Sequence, residues 1–433
     1  MSPTPSPAPL RLGIAGLGTV GIGVVKIVQN HPDLIALRSG RAVQITAICA
    51  RDRTRNRDAD LSGYAWVDRA SDLALRDDVD VVVELIGGDE GPARELIELA
   101  LENGKDVVTA NKALLAVHGQ ALAERAESRG RTIRFEAAVA GGIPVIKAMT
   151  ESLAGNRIKR VMGVMNGTCN YILTRMQAED APYAQVLEDA KRLGYAEADP
   201  SFDVGGIDAA QKLALLVAIA FGTRVDLGAM AVEGIERVSL ADIEHAAELG
   251  YRIKLLGVAQ RGEGGLEARM QPCLVPAGSP VGQLEGVTNM VVLEGDFVGR
   301  IVLAGPGAGE GPTASAIVGD VVDIARGLVI PAFGRPAGSL ATANRAGNGA
   351  PAAYYLRFLL ADAPGTLAQV AAELGRAGIS INRMRQVEHA GPEAPVLIVT
   401  HRTKRAALDA ALGAIAGLAV CRAEPVAIRI EDL

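Results

Sequence analysis

The chain predicts an α/β protein: a doubly wound parallel sheet, a mixed α/β domain after it, and a small βαββαβ sandwich at the C-terminus. Three observations carry this. Short Val/Ile-rich runs alternate with helical stretches from Leu10 to about Thr150. A glycine turn directly follows the first of these runs. A strand–helix–strand–strand–helix–strand order recurs from Ala352 to Leu433. At 433 residues with 49% apolar content the chain is long enough for two or three domains with their own cores.

Residues 1–9 alternate prolines and lack an apolar stretch, so they read as a disordered tail and not as a signal peptide. The next five runs are Leu12–Ala15, Val43–Cys49, Val79–Ile86, Asp106–Thr109 and Thr132–Phe135. Continuous apolar strands between helices belong to a parallel sheet covered on both faces. Residues 10–150 therefore form the first domain, to which a segment at about 305–340 returns. Residues 151–304 form a mixed domain for catalysis and dimerisation, with an apolar helix at Asp208–Phe221. Gly305–Thr313 is a second glycine-rich loop, followed by a helical run, Ala314–Arg326.

Arg335–Pro351 is rich in Gly, Ala and Pro and reads as a linker, most clearly at 341–351. Residues 352–433 then form an independent module. Its expected elements are Tyr354–Leu360, Gly365–Gly375, Ile379–Val387, Val396–Thr400, Lys404–Ala416 and Val426–Ile430. That order is the ferredoxin-like one.

Composition narrows the function. A net charge of −6 lacks the basic excess of a protein built to coat nucleic acid. The longest clean apolar run, Leu213–Phe221, is about half of a bilayer crossing. Cys49, Cys169, Cys273 and Cys421 are widely spaced with no metal-binding pattern, which suits a reducing cytoplasm. His31, His118, His245, His389 and His401 are scattered and read as structural or surface residues.

The first chemical signal is Gly16-Leu17-Gly18-Thr19-Val20-Gly21, between a strand and the helix Val20–Val28. Gly16 allows the tight turn, Gly18 lets the backbone approach a pyrophosphate, and Gly21 lets helix and strand pack closely. The helix start offers unpaired N–H groups to phosphates. This is the dinucleotide-binding, Rossmann-type pattern. The second strand ends in Arg51-Asp52-Arg53, not in the lone acid usual for NAD. Arg51 and Arg53 thus favour NADP(H) through the 2′-phosphate, with NAD(H) still usable.

Two further strand ends are polar: Glu84 to Gly88, and Thr109-Ala110-Asn111-Lys112. Ligands of open α/β sheets bind at strand carboxyl ends. The segment Tyr195–Leu213 holds four carboxylates and Lys212 on a loop entering a buried helix, with Asp208 and Lys212 one turn apart. A lysine at such a helix mouth can release a proton to a developing alkoxide.

With these residues in place the chain resembles the homoserine dehydrogenases over nearly its whole length. The matching blocks are GLGTVG (16–21), VVVELIGG (81–88), TANK (109–112), FEAAVAGGIPV (135–145), NGTCNYIL (166–173), YAEADPSFDVGGIDAAQKL (195–213) and GPGAGEGPTAS (305–315). The last module resembles an ACT domain at Asp362–Leu367 and Gly378–Ile381. The resemblance implies reversible NAD(P)H-dependent reduction of L-aspartate 4-semialdehyde to L-homoserine. It makes Lys212 the proton donor and Lys112 a second catalytic lysine, between nicotinamide and substrate. It assigns Glu197 to the substrate ammonium, Asp203 and Asp208 to substrate and lysine, and Asn166, Gly167 and Thr168 to the substrate pocket. It adds Gly87, Gly309 and Glu310 to the cofactor site. It implies a monovalent cation, usually sodium, at Glu136, Val139, Gly141 and Ile143, held mainly by backbone carbonyls. It implies feedback by threonine at Asp362 and Gly365, in a homodimer or tetramer.

Two competing readings come from other classes. A cysteine-dependent acylating semialdehyde dehydrogenase would need Cys169 as nucleophile, with no supporting base nearby. A non-catalytic amino-acid sensor would have no use for Lys212, Lys112 and Glu197 together.

Overall fold

Two sheets carry the chain, here seen in a computed structural model that describes residues 7–262, 264–344, 349–386 and 391–432. The tail before residue 7, four residues of the expected linker (345–348), Val387 and His389 lie outside the described residues.

The first sheet holds β1 (Leu10–Ala15), β2 (Val43–Cys49), β3 (Ala65–Trp66), β4 (Val81–Glu84), β5 (Asp106–Thr109) and β6 (Ile133–Arg134). All pairings are parallel, in the order β3-β2-β1-β4-β5-β6. The order reverses between β1 and β4, the topological switch point where such sheets bind ligands. The apolar runs are continuous because neighbouring residues face different cores. Val82 packs on one side of the sheet, Val81 and Val83 on the other. The strand expected over Val79–Ile86 is shorter, ending at Glu84, because the amides of Ile86 and Gly87 donate to the Glu84 carboxylate.

The helix Glu310–Ala325 returns to this domain. Its Ala314, Ile317 and Val321 share a core with Leu12, Ile14 and Val24. The two helices approach so closely at Gly23 that a Cβ there would lie 2.8 Å from Glu310 Cγ and 2.9 Å from Ala314 Cβ. This helix starts four residues earlier than its apolar run suggests, because Gly309 (φ 116°) makes the turn into it.

The second sheet holds β7 (Ile158–Val164), β8 (Ala231–Val232), β9 (Tyr251–Gly262), β10 (Gly265–Pro276), β11 (Thr288–Gly295), β12 (Gly299–Pro306), β13 (Ala353–Ala361), β14 (Ile381–Gln386), β15 (Glu393–Thr400) and β16 (Val426–Ile430). Its order is β12-β11-β7-β9-β10-β16-β13-β15-β14, with β8 also on β10. Within it, β16-β13-β15-β14 is the 4-1-3-2 order of a ferredoxin-like sandwich.

The C-terminal module is therefore not a free-standing unit, as its sequence suggests. Strand β16 pairs in parallel with β10, Cys273 opposite Arg429 and Leu274 opposite Ile430, so one ten-stranded sheet spans both parts. Buried charges hold the seam. Glu431 binds Arg429 at 2.6 Å, Arg160 at 2.7 Å, and Arg269. Asp242, wholly buried, accepts from Arg357 at 2.6 Å and from the Tyr355 hydroxyl at 3.2 Å. Removing one partner of such a set leaves an uncompensated buried charge. Even the described linker packs: Ala337 and Leu340 are buried, and the Ala350 amide donates to Glu267.

Candidate active site

Two asparagines aim the catalytic segment. Asn166 precedes the helix Gly167–Glu179 and caps it, its Oδ1 accepting from the Cys169 amide at 2.8 Å. Its Nδ2 then donates to Asp203 at 2.7 Å and to Asp208 at 3.0 Å. One side chain thus ties a helix start to both acids, and the acceptors on each side fix which amide atom is which. Asn111 does the same work for Lys112. It caps the helix Lys112–Ser128 through the Leu114 amide, and its Nδ2 donates to the Gly88 carbonyl at 2.7 Å.

The two lysines meet on Asp208. Lys212 Nζ lies 2.8 Å from Oδ2, and Lys112 Nζ lies 3.1 Å from Oδ1. Burial alone would raise the Asp208 carboxyl. The combined field and hydrogen bonds of the lysines and Asn166 outweigh that and hold it well below the usual carboxylate range. Asp203 moves the other way: burial and the Asp208 charge raise it, against the Asn166 hydrogen bond. Lys212 also donates to the Met165 carbonyl at 2.9 Å. An ammonium has three protons. Two are committed, and the third has no partner among the described residues.

The other expected substrate residues divide. Thr168 Oγ1 donates to the Tyr195 carbonyl at 2.6 Å and so draws the 195–200 loop onto the Asn166 helix. Gly167 allows close contact with another segment, since a Cβ there would lie 2.7 Å from the Val287 carbonyl. Glu197 is exposed on that loop and forms no hydrogen bond or ion pair among the described residues. Cys169 is wholly buried and donates to the Asp203 carbonyl at 3.2 Å. Burial, with Asp203 and Asp208 adding to it, pushes its thiol far up. A thiol so placed makes a poor nucleophile.

At the nucleotide loop, Gly16 (φ 99°) and Gly21 stand where side chains are excluded, with Cβ positions 2.4 Å from the Leu85 carbonyl and 2.0 Å from the Gly16 carbonyl. Gly18, in contrast, faces open space and begins the helix Thr19–Asn30 with no side-chain cap. An open, uncapped helix start beside Thr19 and Val20 fits a pyrophosphate. Leu17 is buried beneath it. Glu310 reaches this helix through Lys26 at 2.9 Å, so the second glycine loop does return to the first. Arg53 pairs with Asp68 at 2.7 Å and lies over the Trp66 ring, and Arg51 is exposed.

Several residues do work that the sequence reading did not assign them. Glu84 is wholly buried and accepts from the Ile86 and Gly87 amides at 2.7 and 3.0 Å and from Thr109 at 2.6 Å. It shapes the turn at Gly87 (φ 82°). A lone acid in an apolar strand was its visible signal. Arg57 donates to the Leu17 carbonyl at 3.0 Å from an otherwise mixed-charge loop. Lys254 is buried, donates to Asn170 at 2.9 Å, and is lowered to about 8 by burial.

The expected cation site is partly committed. Both oxygens of Glu136 already accept amides, from Ile146 at 2.9 Å and Lys147 at 2.8 Å. Its own amide donates to Asp320 at 2.8 Å. The main-chain carbonyls of the set lie around a left-handed pair at Ala140 (φ 57°) and Gly141 (φ 55°), and those of Glu136 and Ile143 each already accept one amide, from Val139 at 3.3 Å and Val145 at 2.8 Å. Main-chain oxygen donors on such a turn suit a hard cation.

Comparison with known proteins agrees with this geometry. Residues 16–136 match the homoserine dehydrogenase NAD-binding domain family, 144–322 the homoserine dehydrogenase family, and 354–419 the ACT domain family. A homoserine dehydrogenase of Pseudomonas aeruginosa is 43% identical over 98% of this chain and 99% of its own. One of Bacillus subtilis is 38% identical over 98% of each. The crystal structure of a homoserine dehydrogenase from Thiobacillus denitrificans superposes with a TM-score of 0.93, at 41% identity and 98% coverage of both chains. A hyperthermophilic archaeal homoserine dehydrogenase in complex with NADPH matches at 26% identity and TM-score 0.63, covering 74% of this chain and 99% of that one. The chain belongs to the homoserine dehydrogenase family, NAD(P)-dependent oxidoreductases acting on a CH–OH group.

Proposed function

We propose that this chain interconverts L-aspartate 4-semialdehyde and L-homoserine, with Lys212 as the group that moves the proton. The observation that carries this is the uncommitted third N–H of Lys212, held by Asp208 and the Met165 carbonyl at the mouth of a buried helix. A nicotinamide cofactor, NADPH or NADH, would when bound supply the hydride that the aldehyde carbon accepts. Lys212 Nζ gives its proton to the carbonyl oxygen as negative charge develops there; the N–H bond breaks as the O–H bond forms. Lys112, on the other oxygen of Asp208, adds positive charge to the same end of the site. In the reverse direction Lys212, deprotonated, accepts the hydroxyl proton.

Asp203, Asn166, Gly167 and Thr168 line the substrate side. Exposed and unpaired, Glu197 is the carboxylate for the substrate ammonium, meeting it once the 195–200 loop folds over. Gly16–Gly21 would hold the pyrophosphate of the cofactor, and Gly87, Gly309 and Glu310 would complete its site. Arg51 and Arg53, with Arg57 behind them, favour NADP(H) over NAD(H). The carbonyls of Val139, Gly141 and Ile143, with Glu136, would hold a monovalent cation, sodium in our reading, as a brace for the turn.

The ACT module takes threonine at the turn Asp362–Gly365. Gly365 (φ 84°) begins the helix Thr366–Arg376, and the buried hydroxyl of Thr366 has no hydrogen-bond partner. Because ACT ligands sit where modules pair, we read the assembly as a homodimer or tetramer. The enzyme works in the cytoplasm, in keeping with cysteines that are all unpaired. Among the described residues no helix is long and apolar enough to cross a membrane. The test is NADPH oxidation with L-aspartate 4-semialdehyde, with and without threonine. No turnover would sink the reading.

A further inference from the structure

We propose a second amino-acid site, distinct from the Asp362–Gly365 turn, in the cleft where the C-terminal module meets the segment after β8. A cavity of about 350 Å³ opens there, within the size range of small-molecule sites. The helix Arg405–Ala416 and strand β16 form one wall; Glu233, Arg237 and Pro272 form the other.

The lining sorts by chemistry. Val238, Pro272, Leu412 and Ile428 are apolar. Around them stand Arg237, paired across the mouth with Glu424 at 2.7 Å, and Arg405, paired within its helix with Asp409 at 2.8 Å. Each pair uses part of a guanidinium that has five N–H donors, so both arginines can take a further carboxylate. The Glu233 carboxylate forms no hydrogen bond or salt bridge among the described residues, although the charges of Arg405 and Arg237 act on it, and its amide is held by the Met270 carbonyl at 2.8 Å. An ammonium for Glu233, a carboxylate for an arginine and a short apolar side chain for the floor describe a zwitterionic L-amino acid. A simple anion or simple cation would satisfy only half of the site.

One lining position has room for a probe of the cleft, the exposed Gly413. Gly413 sits inside a helix, where glycine costs about 1 kcal/mol relative to alanine, and a Cβ there would touch nothing within 4 Å. A side chain at 413 would occupy the cleft.

An occupant would bear on the catalytic turn. Strand β8 pairs with β10 beside the seam, at Arg269 and Met270. The segment after it lies under the residues that lead to Asp208: the Ile235 amide donates to the Val204 carbonyl at 2.9 Å. A Cβ on Gly206 would lie 3.4 Å from Val232 and 3.5 Å from the Glu233 carbonyl. Gly206 immediately precedes the helix that carries Asp208 and Lys212.

The experiment uses full-length enzyme with L-threonine, L-valine and L-isoleucine, read by calorimetry and by activity. Gly413→Phe fills the cleft, Arg405→Ala removes a carboxylate partner, and Asp362→Ala reports on the ACT turn alone. We expect at least one of the three amino acids to bind and change the KM for substrate. Its affinity for the cleft falls on the order of tenfold or more in Gly413→Phe and Arg405→Ala, both of which keep their basal activity, and stays unchanged in Asp362→Ala. If Gly413→Phe does not fold, Arg405→Ala carries the same test. Wild-type affinity in the cleft variants overturns the cleft, whatever Asp362→Ala does, and so does failure of all three ligands to bind the wild type. Loss of binding only in Asp362→Ala assigns the ligand to the ACT turn and leaves that reading standing.

Discussion

Two buried lysine–carboxylate clusters in this molecule are balanced in opposite directions. In the candidate active site one carboxylate, Asp208, is shared by two lysines, Lys112 and Lys212. Below the first sheet one lysine, Lys147, is shared by Asp320 at 3.2 Å and by Asp323, with Glu136 behind them. Burial pushes the carboxyls up in both places. With two cations Asp208 still ends well below the usual range, whereas Glu136 rises to about 7 and Asp320 to about 6, and the two carboxylates also repel each other. The ratio of cations to carboxylates, more than burial, decides which cluster stays fully charged. The first holds a carboxylate kept ionised by its neighbours, which fixes two lysines. The second is a structural joint that titrates near neutrality.

The largest effect should come from the lysines themselves. Lys212→Ala should lower kcat by roughly 10²–10⁴-fold, while cofactor affinity and thermal stability stay close to wild type. Ordinary turnover in stopped-flow assays would break the contrast at once. Lys147→Ala should do the reverse. It leaves the carboxylates uncompensated and should cost about 3 kcal/mol of stability, the lower end for a broken buried pair, since 23% of the side chain is exposed. Urea unfolding measures that loss; kcat below the melting range should survive.

Asp208→Asn should reduce kcat/KM by about tenfold to a hundredfold, because the lysines lose their common anchor and repel one another. The basic limb of its pH–rate profile should move to lower pH, a change that loss of packing alone would not cause. Glu197→Gln, outside both clusters, should chiefly raise KM for homoserine, by about tenfold. An equal fall in kcat would place Glu197 nearer the chemistry than its exposure implies.

The smallest effect is a slope. Glu136 and Asp320 are raised in the folded state, so between about 4.5 and 7 the native protein holds protons that the unfolded chain has released. Their contribution to stability therefore falls as pH rises through that window. Asp320→Asn should flatten the decline in Tm between pH 5 and 7, by about a few degrees. A slope unchanged by the substitution would show that other groups set it.

Local features of the site were legible, and contacts between distant segments were not. The glycine turn at 16–21 could be read because its strand, turn and helix are contiguous. Asp208 and Lys212 could be paired because one helical turn separates them. Nothing in the spacing said that Lys112, from the end of another strand, would take the second oxygen of Asp208, or that Asn166 would bond both acids. Glu136 carries a second contact of this kind. Its place in a cation site made mainly of main-chain carbonyls was legible, but not that its carboxylate would accept the amides of a helix start ten residues on.

By itself the sequence determined the strand–helix alternation, the nucleotide turn, the lysine–carboxylate segment and the βαββαβ order, since each depends on hydrophobic period, glycine conformation or spacing along one element. Only the tertiary structure decided that β16 joins β10 to make one sheet of two parts, that Glu431 and Asp242 lock that seam, and that a cleft opens beside it. Strand edges carry the same unpaired amides and carbonyls whatever their side chains, so a partner strand is chosen by which edges meet when the cores pack.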